Sequence, residues 1–239
     1  MTWLALWLFD EGSGTTVADS ESSPVNLTVS GATWATNAAG AGLSFVNDSG
    51  DQAANTAISG TKLEFGSGIT QFTVEITATF DFFGGTRGLF RMLGTGALHI
   101  QRRGTLDGNL RGVAFAITSA PSDDVQHTVH FVFDTANGTA ANRFRAYVDG
   151  TLVATTNSLN GETLQSVTQV LMGFTGDGSF PGQIWQAAFA DHVVDATEAA
   201  SRAAALASDN DADPAAEPPA PVAAVTTLYS EFERRRVLL

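Results

Sequence analysis

Leu4-Ala5-Leu6-Trp7-Leu8-Phe9-Asp10-Glu11-Gly12-Ser13-Gly14 decides the reading of this chain. Trp3, Ala5, Trp7 and Phe9 alternate with Leu4, Leu6 and Leu8, so both faces of the predicted strand are apolar. A strand apolar on both faces is buried on both, as in the interior of a layered β structure. Two charges and two glycines then break it, which is turn chemistry. No Lys or Arg precedes the run and no small-residue cleavage site closes it, so it reads as core rather than as a leader.

Outward from there the strands are short and punctuated. Leu27–Trp34 and Gly40–Phe45 come first. In Phe72–Phe80, Phe72, Val74, Ile76, Ala78 and Phe80 face in, while Thr73, Glu75, Thr77 and Thr79 face out. Phe90–Leu93, Leu98–Arg102 and Gly112–Ile117 follow, with Asp107-Gly108 read as a turn. After His127–Asp134, Asp149-Gly150 joins Arg143–Asp149 to Thr151–Thr155 and is the strongest hairpin signal. Val167–Met172 and Gln183–Phe189 complete the set. One helix is expected over Thr197–Ala207, with Asp195 or Thr197 as N-cap. The expected fold is all-β: a two-sheet antiparallel jelly-roll sandwich, one short C-terminal helix and an extended C-terminal arm. Residues 1–208 form the domain, 209–221 a Pro-rich acidic linker and 222–239 the arm.

The 239 residues are 44% hydrophobic, with a net charge of −13 and Lys62 as the only lysine. Such a chain is a poor partner for nucleic acid or anionic membrane. It has no cysteine, which excludes disulfides and thiolate-bound zinc. No run approaches the roughly 18 apolar residues of a membrane span.

Taken together, four blocks carry a family resemblance. They are Leu6-Trp7 with Asp10–Thr16 and Asp19-Ser20; Gly31–Trp34 with Gly42–Phe45; Phe72–Glu75; and Tyr147–Val153 with Gly182–Ile184 and Val194–Ala199. In this order they resemble laminin-G-like, concanavalin A-like lectin/glucanase jelly-roll domains over roughly the first 205 residues. The resemblance implies two curved antiparallel sheets, often a calcium ion at a loop edge, and glycan or protein binding. Glucanases of that fold carry a Glu-x-Asp-x-x-Glu strand, and the pattern does not occur here.

No catalytic constellation is visible. Glu75 reads as a solvent-facing strand residue, and His127 and His130 point to opposite faces of one strand. No cofactor is required. The one ion the sequence could accommodate is calcium, through loop oxygens of Asp48, Asp51 and Asp177, with Asp10 and Asp191 nearby if the sheet ends converge. The simpler alternative is that these are Asx turns. A glycan site would need an exposed aromatic, for which Tyr147, Trp185 and Phe180 are the candidates, with Tyr147 on the outward face beside Arg143 and Arg145. The competing expectation puts Trp3, Trp7, Trp34 and Trp185 in the core.

Beyond the linker, Tyr229, Phe232, Arg234, Arg235, Arg236 and Leu238 make an apolar, arginine-bearing segment of the kind that docks into a neighbour's groove. The sequence therefore points to a non-enzymatic structural or assembly protein. A tailed-phage virion component, either a capsid decoration or a tail-associated protein, is the leading expectation. It would be homo-oligomeric and joined to other subunits through the arm. A carbohydrate-binding adhesion module is the competing class, and a glycosidase with an unrecognised site the third.

Overall fold

The computed structural model describes residues 3–46, 50–80, 86–103, 105–117, 121, 124–156, 158–173 and 180–209. The predicted arm, the predicted linker beyond Asp209, and Asp48 and Asp177 lie outside them. The strands in chain order begin with β1 (Ala5–Trp7), β2 (Thr16–Val17), β3 (Leu27–Ser30), β4 (Thr33–Asn37), β5 (Gly40–Phe45) and β6 (Gln52–Asn55). They continue with β7 (Gln71–Phe80), β8 (Arg87–Gly94), β9 (Leu98–Arg103), β10 (Thr105–Leu110) and β11 (Val113–Ala116). The last are β12 (Gln126–Asp134), β13 (Phe144–Val148), β14 (Thr151–Thr156), β15 (Val167–Met172) and β16 (Gly182–Ala190), followed by helix α1 (Ala196–Leu206).

These strands make two antiparallel sheets. Sheet I runs β14-β13-β12-β7-β16-β5-β4, with β1 added beside β16. Sheet II runs β11-β10-β9-β8-β15-β6-β3-β2. The predicted all-β sandwich with one short helix is therefore present. The core lies between the sheets. Phe72, Val74, Ile76, Ala78 and Phe80 of β7 face Phe90, Met92, Ile100, Leu106 and Phe115 of sheet II within one apolar cluster. Phe72 stacks on Phe133 at 4.4 Å, and Phe115 lies tilted against Phe144 at 4.7 Å, ring contacts that add to plain area burial. No helix among the described residues is long and apolar enough to cross a membrane.

The opening stretch is buried on both faces, as expected. Ala5 and Trp7 enter the inter-sheet core, and Leu6 packs with Ala188 and Ala190 on the far side of sheet I. The alternation slips at Leu4/Ala5, so Trp3 joins Leu6 rather than Trp7. Phe9 ends the strand in the left-handed region at φ 55°, where a bulky residue is held only by its surroundings; it is fully buried.

The Asp149-Gly150 hairpin forms with φ of 48° and 76°, the double left-handed turn that matches strand twist. Asp107-Gly108, read as a turn, lies inside β10 instead. The reversal falls four residues later at Arg111-Gly112, with φ of 53° and 83°. Gly108 is required by close packing, because a Cβ there would collide with the His99 carbonyl and the Phe115 ring. Helix α1 is capped as predicted: Asp195 accepts a hydrogen bond from the Glu198 amide at 2.9 Å.

Candidate functional site

The outer faces of the two sheets differ. On sheet I, Thr73, Glu75 and Thr77 of β7 point away from the core, yet all three are fully buried. Helix α1 lies over β12 and β14 and covers them. Its buried stripe is Ala199, Arg202, Ala203 and Leu206, at helical i, i+3, i+4, i+7 spacing.

Glu75 is the centre of that covered face and corrects the expectation of a solvent-facing residue. Its Oε1 accepts from Arg202 Nη2 at 2.7 Å and Gln186 Nε2 at 3.3 Å. Its Oε2 accepts from Arg202 Nε at 3.1 Å and lies 2.8 Å from His130 Nε2. Burial pushes the carboxyl up, but the His130 hydrogen bond and the charge of Arg202 outweigh it and hold Glu75 at about 2. Trp3 lies against the guanidinium, 5.8 Å from ring centroid to Cζ. His130 Nδ1 is buried with no hydrogen-bond partner among the described residues. The group looks like a carboxylate–imidazole pair for proton transfer. It is sealed beneath a helix, with both side chains at 0% exposure, so no substrate can touch it.

The expected aromatic platform is corrected in the same way. Tyr147 does face outward, but it is 3% exposed and packs with Val132, Val194 and Ala199 under the helix. Trp185 is 1% exposed and donates its indole N–H to Thr79 Oγ1 at 2.9 Å. Phe180 is fully buried, edge-on to Phe80 at 5.6 Å. Trp3 and Trp7 are core as expected, and Trp34 is half-buried. No glycan can stack on Tyr147, Trp185 or Phe180 in this fold.

Of the calcium candidates Asp48, Asp51 and Asp177, only Asp51 lies among the described residues. Asp51 is buried and its Oδ2 accepts from the Val46 amide at 2.8 Å, closing a short loop as an Asx residue does. Among the described residues no group of three or more acidic or histidine side chains could hold a metal ion. Asp48 and Asp177, like Tyr229, Phe232, Arg234, Arg235, Arg236 and Leu238 of the arm, lie outside the described residues.

The outer face of sheet II has no helix over it among the described residues. At its β11 edge lies an open trough of about 560 Å³. Gln101 of β9 and Asp107 and Asn109 of β10 project into it, with small walls from Ala114 and Ala116 of β11 and Thr155 from β14. Asp107 pairs with Gln101 and Ala116 across the sheet, and Asn109 with His99 and Ala114. Gln101 Nε2 donates to Asp107 Oδ1 at 2.7 Å, which fixes the carboxylate and leaves Oδ2 directed elsewhere. Ser158 Oγ donates to the Ala114 carbonyl at 3.1 Å and ties the β14 end to the β11 edge. The result is an acceptor carboxylate and two amides on one face, held by three paired strands. Sequence reading passed over these residues because only strand register assembles them.

No protein-family model matches the chain, and no curated protein matches it. Solved structures do. Trypanosoma rangeli sialidase in complex with sialic acid aligns at TM-score 0.59 and 16% identity, over 82% of this chain and 31% of that one. The botulinum neurotoxin serotype G binding domain aligns at TM-score 0.66 and 10% identity, over 84% of this chain and 50% of that one. A second structure of the type G receptor binding domain gives 0.63 and 9%, over 85% and 51%. The chain thus spans about a third to a half of the length of these chains. At such identities the likeness is one of fold, and the fold is an antiparallel β-sandwich.

Proposed function

We propose that this chain is a non-catalytic binding module whose ligand is a carbohydrate, seated in the sheet II trough. One observation carries the reading: Gln101, Asp107 and Asn109 converge on an open trough whose other walls, Phe115 apart, are small residues. A carboxylate and amides on rigid strands suit vicinal hydroxyls, which both donate and accept. That a structural neighbour is a sialidase in complex with sialic acid agrees with it. A glycosidase of the common two-carboxylate kind would need a second carboxyl group about 5–10 Å from the first. Asp107 is the only carboxylate among the described residues of the trough, and Glu75 is sealed away. The reading requires no metal ion, and it takes the laminin-G/concanavalin A-like kinship as its framework.

The test is a glycan array followed by titration of the best hit. Asp107→Ala and Asn109→Ala should each weaken binding at least about tenfold, the loss of roughly one good polar contact to a charged or amide group. Their melting temperatures should stay within a degree or two of the parent. A hit that ignores both substitutions would place the ligand elsewhere.

The tail composition favours a second role that can coexist with this one. We infer that segment 222–239 is an assembly arm, joining copies of this chain or other subunits of a tailed-phage virion. Deleting it should abolish incorporation or oligomerisation while the sandwich stays folded, and unaffected assembly would remove that reading.

A further inference from the structure

Among the described residues of the trough, the one charged side chain is acidic, and no cation answers it. Asp107 Oδ1 accepts from Gln101 Nε2 at 2.7 Å, and among the described residues the half-buried carboxylate makes no other hydrogen bond and no ion pair. An amide donor orients a carboxylate without neutralising it. Other acids of this chain are treated differently. With 12 Lys and Arg against 25 Asp and Glu, cations are scarce and go to particular partners. Arg202 answers Glu75, Lys62 answers Asp19, and Arg111, at the turn beside the trough, lies 3.7 Å from Glu162. The row of Asp107 across sheet II holds only Ala116, Gln101 and Gly88 besides. His99 stands one row over, opposite Asn109, with its Nε2 buried. Arg91 lies beyond it on β8, two strand spacings, roughly 10 Å, from β10.

A carboxylate fixed through one oxygen by a neutral donor keeps the other for a ligand. A hydroxyl can donate to it, but an ammonium makes a charge-assisted bond roughly twice as strong. The net charge of −13 acts in the same direction, because an acidic surface concentrates cations and repels anions. Asn109, Thr155 and Thr156 supply the neutral polar groups of the trough, which suit the uncharged parts of the same ligand. Resting on the carbohydrate reading above, we propose that the ligand is a glycan with a free primary amine, an amino sugar without its acyl group. Its ammonium is received by Asp107 Oδ2, while Asn109 and the two threonines hold neighbouring hydroxyls. An N-acyl group would remove the charge and add bulk against the carboxylate, so the acylated counterpart binds more weakly.

The experiment uses the full chain on an array that presents free-amine oligosaccharides beside their N-acetylated counterparts and the parent sugars with a hydroxyl in place of the amine. The expected result is at least about tenfold tighter binding of the free-amine series, with the gap shrinking as salt is raised. Asp107→Asn, which keeps the shape and drops the charge, should bring the three series to about the same affinity. If Asp107→Asn does not fold, Asn109→Ala decides in its place: it should weaken the free-amine series at least about tenfold, and unchanged binding overturns the inference. A preference that survives Asp107→Asn belongs to the acidic surface at large and also overturns it. Equal or tighter binding of the acetylated or hydroxyl members overturns this inference and leaves the carbohydrate reading standing. Binding of no glycan overturns both.

Discussion

Replacing Arg202 by Met tests the account of the covered face most directly. Arg202 supplies two of the four hydrogen bonds to a carboxylate with no exposure. Methionine keeps most of the aliphatic bulk against Trp3, so the main loss is the counter-charge. Removing one partner of a buried pair strands the other, at about 3–5 kcal/mol. The carboxyl itself gives a comparable scale: the drop from 4.5 to about 2 corresponds to roughly 3 kcal/mol of preference for the ionised form. For a domain of this size the melting temperature should fall by roughly 10 °C at neutral pH. Because the folded value is depressed, the Glu75 contribution is fully present above pH 4.5 and is lost as pH falls toward 2. The stability gap between wild type and Glu75→Gln should therefore be constant above pH 4.5 and narrow below it. Urea melts of the two proteins and of Arg202→Met across pH 2–7 measure both effects. A cost under about 1 kcal/mol for Arg202→Met, or a gap that widens in acid, would refute the reasoning.

Other perturbations probe separate joints. Asp19 is buried and accepts from the amides of Leu6, Glu21 and Val25, and Lys62 Nζ lies 2.8 Å from its Oδ2. Lys62→Met should cost about 2 kcal/mol in urea midpoint stability, the worth of a charged hydrogen bond lost at a buried acceptor. Gly150→Ala should destabilise by more than about 1 kcal/mol and loosen α1: its φ is 76°, and a Cβ would sit 2.5 Å from Ala200 Cα. Hydrogen exchange over Ala196–Leu206 would report the loosening, and unchanged protection would argue against that contact.

How much was legible in the sequence depends on whether a feature is local. The alternation of Phe72–Phe80, the Asp149-Gly150 turn and the Asp195 cap are set by neighbours in the chain, and all three hold. Period-2 alternation says which side of the strand Glu75 and Tyr147 occupy. It cannot say what covers that side. The cover is a helix whose Arg202 lies 127 residues from Glu75, so both residues were read as exposed and both are buried. A signal was present all the same. Arg202 sits in the apolar stripe of an alanine-rich helix, where a lone arginine calls for a buried acid. Gly108 misled for the opposite reason. Glycine beside aspartate is the common mark of a turn, but here it answers to the carbonyl of the adjacent strand.

The two outer faces divide the work of the fold. On sheet I the hydroxyls and the carboxylate of β7 are answered from within. Thr73 bridges the His192 carbonyl and the Val194 amide, Thr77 meets Thr128, and Glu75 takes four donors, so α1 can close over them without orphaned charge. That face contributes stability and is unavailable to a ligand. On sheet II, strand pairing positions Asp107 and Asn109, Gln101 holds the Asp107 carboxylate, and no helix among the described residues lies over them. Side chains fixed by backbone register and left open to solvent can be changed without disturbing the core. Loss of binding at Asp107 and loss of stability at Arg202 should therefore separate, because they act through opposite faces of a packed sandwich with no shared partner.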